Sequence, residues 1–591
     1  MDFDKKTILA FVLIGLILIL ANSGLYQKWV DPKGYEQRQL RKQYIEQQRT
    51  SEPQEQDGQV ESQLEQLKAA EQTAQEAVAE SGDVLLPAAA RAEEKIITID
   101  TDLYRATFSS LGASLLQWEL KKYHSADEQP VQLFPDGYGT LSVGFTTRSG
   151  DSLGTAGLIY ETDGDSVRLD GTDSYTLKFD LAVGEGRYIR KHFTFTNGSY
   201  EIKMTVALEN LEPLIADKRF FIAAPNGLAS TERLLKDDMM YAKAAISAGG
   251  SVEKGYRANG KVYSESGIID WVAVRTKYFA FFIIPETQKI DYARIRGEEI
   301  ALQPVGKERW KKFSLLIGMP YLGERLASTD FKIYLGPLEY DILQKYDENL
   351  HDFMDFGWGF IKYFSLPILK TLKWMHNFIP NYGVVLLIFS ILIKIILYPL
   401  TQKSYQSMQK MQTLQPKLKE LQEKYRNDPQ KLNQATMAMY KEQRVNPMGG
   451  CLPMLIQMPL LFGLFIVFRT TIELRGEGFF WWITDLSAPD TIYTFPGNFS
   501  LPLYGNTVNI LPLVMGATMF FQQKMTVTDP KQKMMVYFMP IFLTLLFNSF
   551  PSGLNLYYAL FNVLSILQQK YLTPKKETPA VDVTAGKKRK K

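Results

Sequence analysis

The stretch 386-LLIFSILIKIILYPLT-401 decides how this chain is read. With its flanks it is apolar and long enough to lie within a membrane, yet Lys394 sits inside it. A lysine at the centre of a bilayer costs about 2.5–3.5 kcal/mol on insertion scales. Ser390 and Tyr398 stand one helical turn to either side, so all three share one face. Lys394 lies about six residues, roughly 9 Å, from the cytoplasmic end of the span. A lysine stem covers part of that distance by snorkelling. The other reading is a hydrated cavity open toward the cytoplasm, with Lys394 inside it.

Candidate spans in this half of the chain are 381–400, 449–469, 508–524, 535–550 and 554–570. Only Pro551-Ser552-Gly553 separates the last two, a turn that makes a helical hairpin. None of the five contains an Asp or Glu to pair with Lys394. Polar groups recur in them nonetheless: Gln457, then Thr518 and Gln522 on one face, then Asn548. In the last span Asn555, Tyr558, Asn562, Ser565 and Gln569 repeat at three and four residues. In lipid such faces turn inward or line water. Interhelical hydrogen bonds, worth about 0.6 kcal/mol each, account for the Asn and Ser residues. They account poorly for the lysine.

Residues 7–26 form a further apolar run. It is long enough to cross ~30 Å of hydrocarbon and makes 1–30 a membrane anchor. Ala21 and Ser23 also allow a cleaved signal peptide. Either way, the segment after this run lies outside the cytoplasm. Residues 31–95 are rich in Gln, Glu and Ala and poor in apolar groups, which predicts a partly disordered linker.

Residues 96–345 change character. Tyr175, Leu177, Phe179, Leu181 and Val183 alternate with polar residues, as do Ile202, Met204, Val206 and Leu208. Period two means half-buried strands. The pairs Asn197-Gly198 and Asp170-Gly171 mark turns between such runs. The segment predicts a large, soluble, β-rich domain. Residues 346–380 then predict an amphipathic helix lying in the outer interface, or a connecting helix packed on the β domain.

Loop charges orient the spans. Residues 401–448 carry nine Lys/Arg against four acids, and 571–591 carry seven against two. Residues 470–507 carry one Arg against four acids. The first two segments are therefore cytoplasmic, and the third lies outside with the β domain. Within 401–448, Met411, Leu414, Leu418, Leu421 and Tyr425 follow 3-4-3-4 spacing. Asn427-Asp428-Pro429 ends that helix and opens another over about 429–444, a cytoplasmic helical hairpin. The fold class is thus a polytopic α-helical membrane protein of six spans, five of them forming a core, with a large β-rich domain outside.

A net charge of +3 over 591 residues argues against a general nucleic-acid binder. One cysteine, Cys451, permits no internal disulfide, and four histidines leave little for metal or acid–base chemistry. No P-loop, HExxH, CxxC or GxGxxG motif is present. A secondary transporter built around Lys394 would show paired halves, which are not visible. A sugar-binding outer domain is a third reading. His124 and His192 are the histidines within that domain, and nothing around them suggests a catalytic pair.

The core motifs resemble the YidC family of membrane protein insertases. They are YPLT (398–401), LQPK (414–417), VNPMGGCLPMLIQMP (445–459), DLSAPD (485–490), TMFFQQKM (518–525), TDP (528–530) and FPSGLNLYYALFNVLSILQQ (550–569). The outer domain resembles that of the Gram-negative members through RTKYFAFFII (275–284) and YLGPLEYDIL (334–343). The resemblance implies a periplasmic β-supersandwich and an amphiphilic groove facing the cytoplasm and lipid. The family's groove cation falls on Lys394, where most members carry arginine; lysine keeps the charge and loses the planar fork. Its hydroxyl residue falls on Ser390 and its aromatics on Tyr557 and Tyr558. Implied partners are nascent membrane proteins, the Sec translocon, the ribosome and membrane lipids, with no cofactor, metal or small-molecule substrate. The KKRKK tail suits ribosomal RNA phosphates or anionic headgroups equally.

Overall fold

A computed structural model describes residues 93–125, 127–134, 139–253, 256–302, 309–357, 359–443, 452–496, 501, 504–526 and 533–572. The expected first span, the linker to residue 92, the motif residues 445–451 and 528–530, and the tail beyond 572 lie outside them. The chain divides into two compact units between Met354 and Asp355.

The first unit is built of two sheets. The smaller has the strand order Pro130–Gln132, Ser114–His124, Tyr104–Ser109, Ile96–Asp100, Val167–Arg168. The larger has thirteen strands, among them Ser174–Gly184, Arg187–Thr196, Glu201–Glu209 and Leu326–Pro337 in that spatial order. Alternation sets the inner face. Leu177, Phe179, Leu181 and Val183 are buried on one strand, and Ile202, Met204, Val206 and Leu208 on another. Tyr175, expected with them, is half-buried near the strand end. Gly198 holds φ +77° in the turn between Arg187–Thr196 and Glu201–Glu209, a conformation that favours glycine. Phe108 of the smaller sheet packs on Phe193 of the larger at 4.8 Å, and Phe134, just past the Pro130–Gln132 strand, on Phe281 at 5.7 Å. His124 and His192 lie on different sheets.

The RTKYFAFFII stretch is structural. Phe279–Pro285 is buried at every position. Arg275 donates to the carbonyls of Thr276, Lys277 and Phe353, each at 3.0 Å. Helix α1, Leu235–Tyr241, supplies buried Asp238, which accepts from the backbone N–H of Lys277 at 2.8 Å. Trp271 Nε1 donates to the Glu348 carbonyl at 3.0 Å. These bonds, with buried Leu350 and Phe353, carry the first unit from the expected boundary at 345 to Met354.

In the second unit, α2 (Lys362–His376) occupies the centre of the expected interfacial segment. It buries Ser365, Ile368, Leu369, Leu372 and Met375 and leaves Tyr363 and Trp374 exposed. Next come α3 (Tyr382–Thr413), α4 (Gln415–Lys424), α5 (Pro429–Glu442), α6 (Leu452–Thr470), α7 (Ile510–Thr526), α8 (Lys533–Phe547) and α9 (Ser552–Leu567). A π-helical turn, Gln568–Leu572, continues α9. Each of the five expected core spans contains one of these helices, although residues 508–509 are strand and 548–550 lie beyond the end of α8. Among the described helices, α3 alone is both long and apolar enough to cross a membrane by itself.

Helix α3 continues beyond the expected end at 400, because Thr401, Ser404, Tyr405 and Met408 remain buried. It ends at Leu414, two residues before Pro416, whose ring nitrogen has no hydrogen to continue the ladder. The hairpin forms, but the run Met411–Tyr425 expected on one helix is divided between the end of α3 and α4. Leu414 and Leu418 pack on Met439, with Met411, Leu421 and Tyr440 around them. Asp428 accepts from the Lys431 N–H at 3.0 Å, capping α5.

Candidate functional site

Helix α9 is the hub of the helical unit and packs on α3, α6 and α7. Lys394 of α3 meets it. Its Nζ donates to Ser565 Oγ at 2.6 Å and stands 4.3 Å from the centre of the Phe561 ring. Lys394 is 8% exposed. Ser565 in turn donates to the Phe561 carbonyl at 2.7 Å. The ammonium therefore rests on a neutral hydroxyl and an aromatic face.

More polar pairs extend the seam toward the end of α9. Gln568 Nε2 donates to Thr401 Oγ1 at 3.1 Å, and Gln569 Nε2 to Thr526 Oγ1 at 2.9 Å. Gln402 Nε2 donates to the Leu572 carbonyl at 3.2 Å. On the other flank Asn562 Nδ2 reaches Thr518 Oγ1 at 3.4 Å. These contacts use the polar stripe of α9 as interhelical bonding.

The expected residues divide into groups. Ser390 is buried one turn before Lys394 and donates to the Leu386 carbonyl at 2.7 Å. Tyr398 lies at the edge of this face and is 36% exposed. At 100° per residue, position 401 lies closer to the azimuth of 394 than 398 does. Thr401 therefore faces α9. Tyr557 packs near Phe389 at 6.2 Å and Tyr558 near Phe547 at 5.9 Å, both higher on α9. Gln457 and Gln522 are half-buried on α6 and α7.

Asn548 is not brought together with Lys394. It donates to the carbonyls of Tyr504 and Thr507, both at 2.8 Å, and its own carbonyl accepts from Asn509. It ties the end of α8 to a hairpin of strands Thr491–Thr494 and Thr507–Asn509. Nearby Asn555 donates to the Phe547 carbonyl, and ten residues of helix, ~15 Å, separate Asn555 from Ser565.

Sequence reading left Ser565, Thr401 and Gln568 out of the site, although Ser565 stood on the recognised stripe. The signal for Thr401 was its seven-residue spacing from Lys394.

Residues 96–370 match the model of the YidC periplasmic domain, and residues 374–579 that of the 60Kd inner membrane protein. The chain is 38% identical over 522 residues to a membrane protein insertase YidC of Chlorobium luteolum (strain DSM 273 / BCRC 81028 / 2530), covering 85% of this chain and 87% of that one. It is 37% identical over 507 residues to a membrane protein insertase YidC of Chloroherpeton thalassium (strain ATCC 35110 / GB-78), covering 83% and 84%. A crystal structure of an active YidC insertase is 19% identical, with coverage of 81% and 93% and a TM-score of 0.35, too loose a likeness to bear on the fold. Two matched family models and relatives aligned along most of both chains agree with the motifs on α3, α6, α7 and α9: the chain belongs to the YidC family of membrane protein insertases.

Proposed function

We propose that the chain inserts and folds nascent membrane proteins by giving their short polar segments a positive, solvated path along the α3–α9 seam. It does so alone or beside the Sec translocon. The observation that carries this reading is Lys394, a buried cation held by a neutral hydroxyl in a set of spans without a carboxylate. An acidic client segment supplies the charged acceptor that Ser565 does not. Hydrogen bonds to charged groups contribute about 1.5–3 kcal/mol. Water admitted to the seam lowers the desolvation cost of the polar segment. Exposed Ile388, Ile391, Ile395 and Ile396 on α3 offer the apolar parts of the client a way into lipid. Hydrophobic transfer, about 25 cal/mol per Å² buried, then drives the step without nucleotide.

The α4–α5 hairpin receives the client, and the basic tail contacts the ribosome or anionic headgroups. Six crossings complete the topology, with α2 in the outer interface and the C-terminus in the cytoplasm. Loop charges support this arrangement.

The test is complementation in cells depleted of their own insertase, with a small acidic-tailed client as readout. Lys394→Arg should insert the client, while Lys394→Ala and Lys394→Glu should fail at equal expression. Equal insertion by all variants would remove the charge from the mechanism. Failure of the wild-type chain would count against the activity itself.

A further inference from the structure

The loop between α6 and the Thr491–Thr494 strand contains Phe479-Phe480-Trp481-Trp482. Trp481 has φ +56° and is 82% exposed; Phe480 beside it is also exposed. Positive φ is an outlier for a bulky side chain. Such a conformation persists only where its surroundings over-determine it. Here they do. The Phe479 N–H donates to the Ile483 carbonyl at 2.9 Å, and the Ile483 N–H to the Phe480 carbonyl at 3.2 Å. Trp482 Nε1 donates to Asp490 Oδ2 at 3.0 Å, and the same oxygen accepts from the N–H groups of Ile510 and Leu511 at the start of α7. Asn381, which caps α3, donates to the Gly478 carbonyl at 3.3 Å. Phe479 lies on Gly383, where any Cβ would overlap its ring.

The loop is thus a braced turn that presents two aromatic rings to its surroundings, at a cost in backbone strain and apolar exposure. Its place indicates what covers them. Asn381 and Gly383 put it within the first turn of α3, the longest apolar helix of the unit. Exposed Trp374 and Phe378 lie on the segment leading into the same turn. Trp and Tyr concentrate at that level of a membrane helix, where a ring is apolar on its faces and polar at its edge. The surrounding segment 470–507 carries one Arg against four acids, which favours neutral or zwitterionic headgroups over anionic ones.

We infer that the Phe479–Trp482 turn is a rigid wedge that seats Phe480 and Trp481 in the outer lipid interface and fixes the depth of α3. The inference rests on the reading of α3 as a membrane span.

Nitroxide labels test it on the full chain with Cys451→Ser, reconstituted in phosphatidylcholine. Label sites are Trp481→Cys and Phe480→Cys. Ile395→Cys is the lipid control and Ile268→Cys, exposed on the first unit, the water control. Accessibility to oxygen and to a water-soluble nickel chelate is read by power saturation. Labels at 480 and 481 should give an oxygen-to-chelate ratio several-fold above that of Ile268→Cys and below that of Ile395→Cys. Replacing half of the lipid with phosphatidylglycerol should leave the ratio unchanged. Trp481→Gly suits the backbone, and with the label at Phe480→Cys it should shift that label toward water. A chelate-accessible 481 overturns the wedge, and so does shielding from both reagents, which would mean that protein covers the turn. A ratio that changes with phosphatidylglycerol overturns the preference for neutral headgroups. A chelate-accessible Ile395→Cys would instead refute the span, whatever the loop does.

Discussion

Lys191 in the β unit and Lys394 in the helical unit are both buried, and their surroundings differ. Lys191 stands on the inner face of the larger sheet, in line with Ile189, Phe193 and Phe195, and is fully buried. Its Nζ donates to the carbonyls of Gly112, Ala113 and Leu141 at 3.0, 2.5 and 2.7 Å. Those three residues all have positive φ. An ammonium has three N–H groups, and here each finds a carbonyl. Lys191 is therefore a tie between the sheets that holds strained turns in place. Lys394 has one hydroxyl and one ring. A buried cation with every donor used is architecture; one with donors to spare is available to an incoming acceptor.

The largest expected effect breaks the first half of that comparison. Lys191→Met leaves three buried carbonyls without their donor and should destabilise the β unit by about 3–5 kcal/mol, read from urea unfolding of the solubilised chain. The pH dependence sharpens it. Burial pushes the Lys191 amine down to about 7 from 10.5. Between those values the unfolded chain keeps a proton that the folded chain gives up, so stability should climb as pH rises from 7. Relative to Lys191→Met, the wild-type advantage should widen between pH 7 and 9. Lys277 has the opposite sign. Burial opposes its charge, but Tyr278 and Asp237 hold its pKa above the usual lysine value. Its contribution is full below pH 10.5 and lost as pH rises through the raised pKa.

The next effect addresses the second half. Lys394→Met should leave stability within about 1 kcal/mol, because Ser565 keeps its bond to the Phe561 carbonyl. Client insertion should nevertheless fall by at least ~10-fold, the loss of one charge-assisted hydrogen bond. A stability loss as large as that of Lys191→Met would make the two lysines alike and end the distinction. Third, Gly383→Ala forces a Cβ into the Phe479 ring. Overpacking of this kind costs about 1–3 kcal/mol and should be visible as a lowered melting temperature. The smallest effect is in the seam. A double-mutant cycle of Thr401→Val and Gln568→Leu should give about 0.6 kcal/mol, the usual worth of a hydrogen bond between membrane helices. A much larger coupling would mean that the end of α9 is fastened to α3 as firmly as the sheets are to each other.

Much of this was legible locally. The alternation at Leu177–Val183 and Ile202–Leu208 specified strands and their buried faces, since neighbours two apart share a face wherever the strand pairs. The hairpin seam and the Asp428 cap followed from spacing and from one Asn-Asp-Pro signal. Lys191 was equally visible as an inward position within Ile189-x-Lys191-x-Phe193, but its three acceptors come from residues 50 to 79 positions away. Helix α3 runs past the expected span end at 400 because apolar composition marks only the lipid-facing stretch, whereas burial of Thr401, Ser404 and Tyr405 carries the helix on.

The sequence by itself determined the division into a β-rich unit and a helical one, the approximate places of the core helices, the buried stripe of α9 and the presence of a positive charge inside the first core span. Periodicity and solvation cost decide these, and both act over a few neighbouring residues. Tertiary structure alone decided that Lys394 meets Ser565, 171 residues away, that Thr401 meets Gln568, and that Asn548 clamps a loop instead of joining the seam. A helix face fixes where a side chain points. Which partner waits there depends on how helices distant in sequence pack, and no local pattern encodes that.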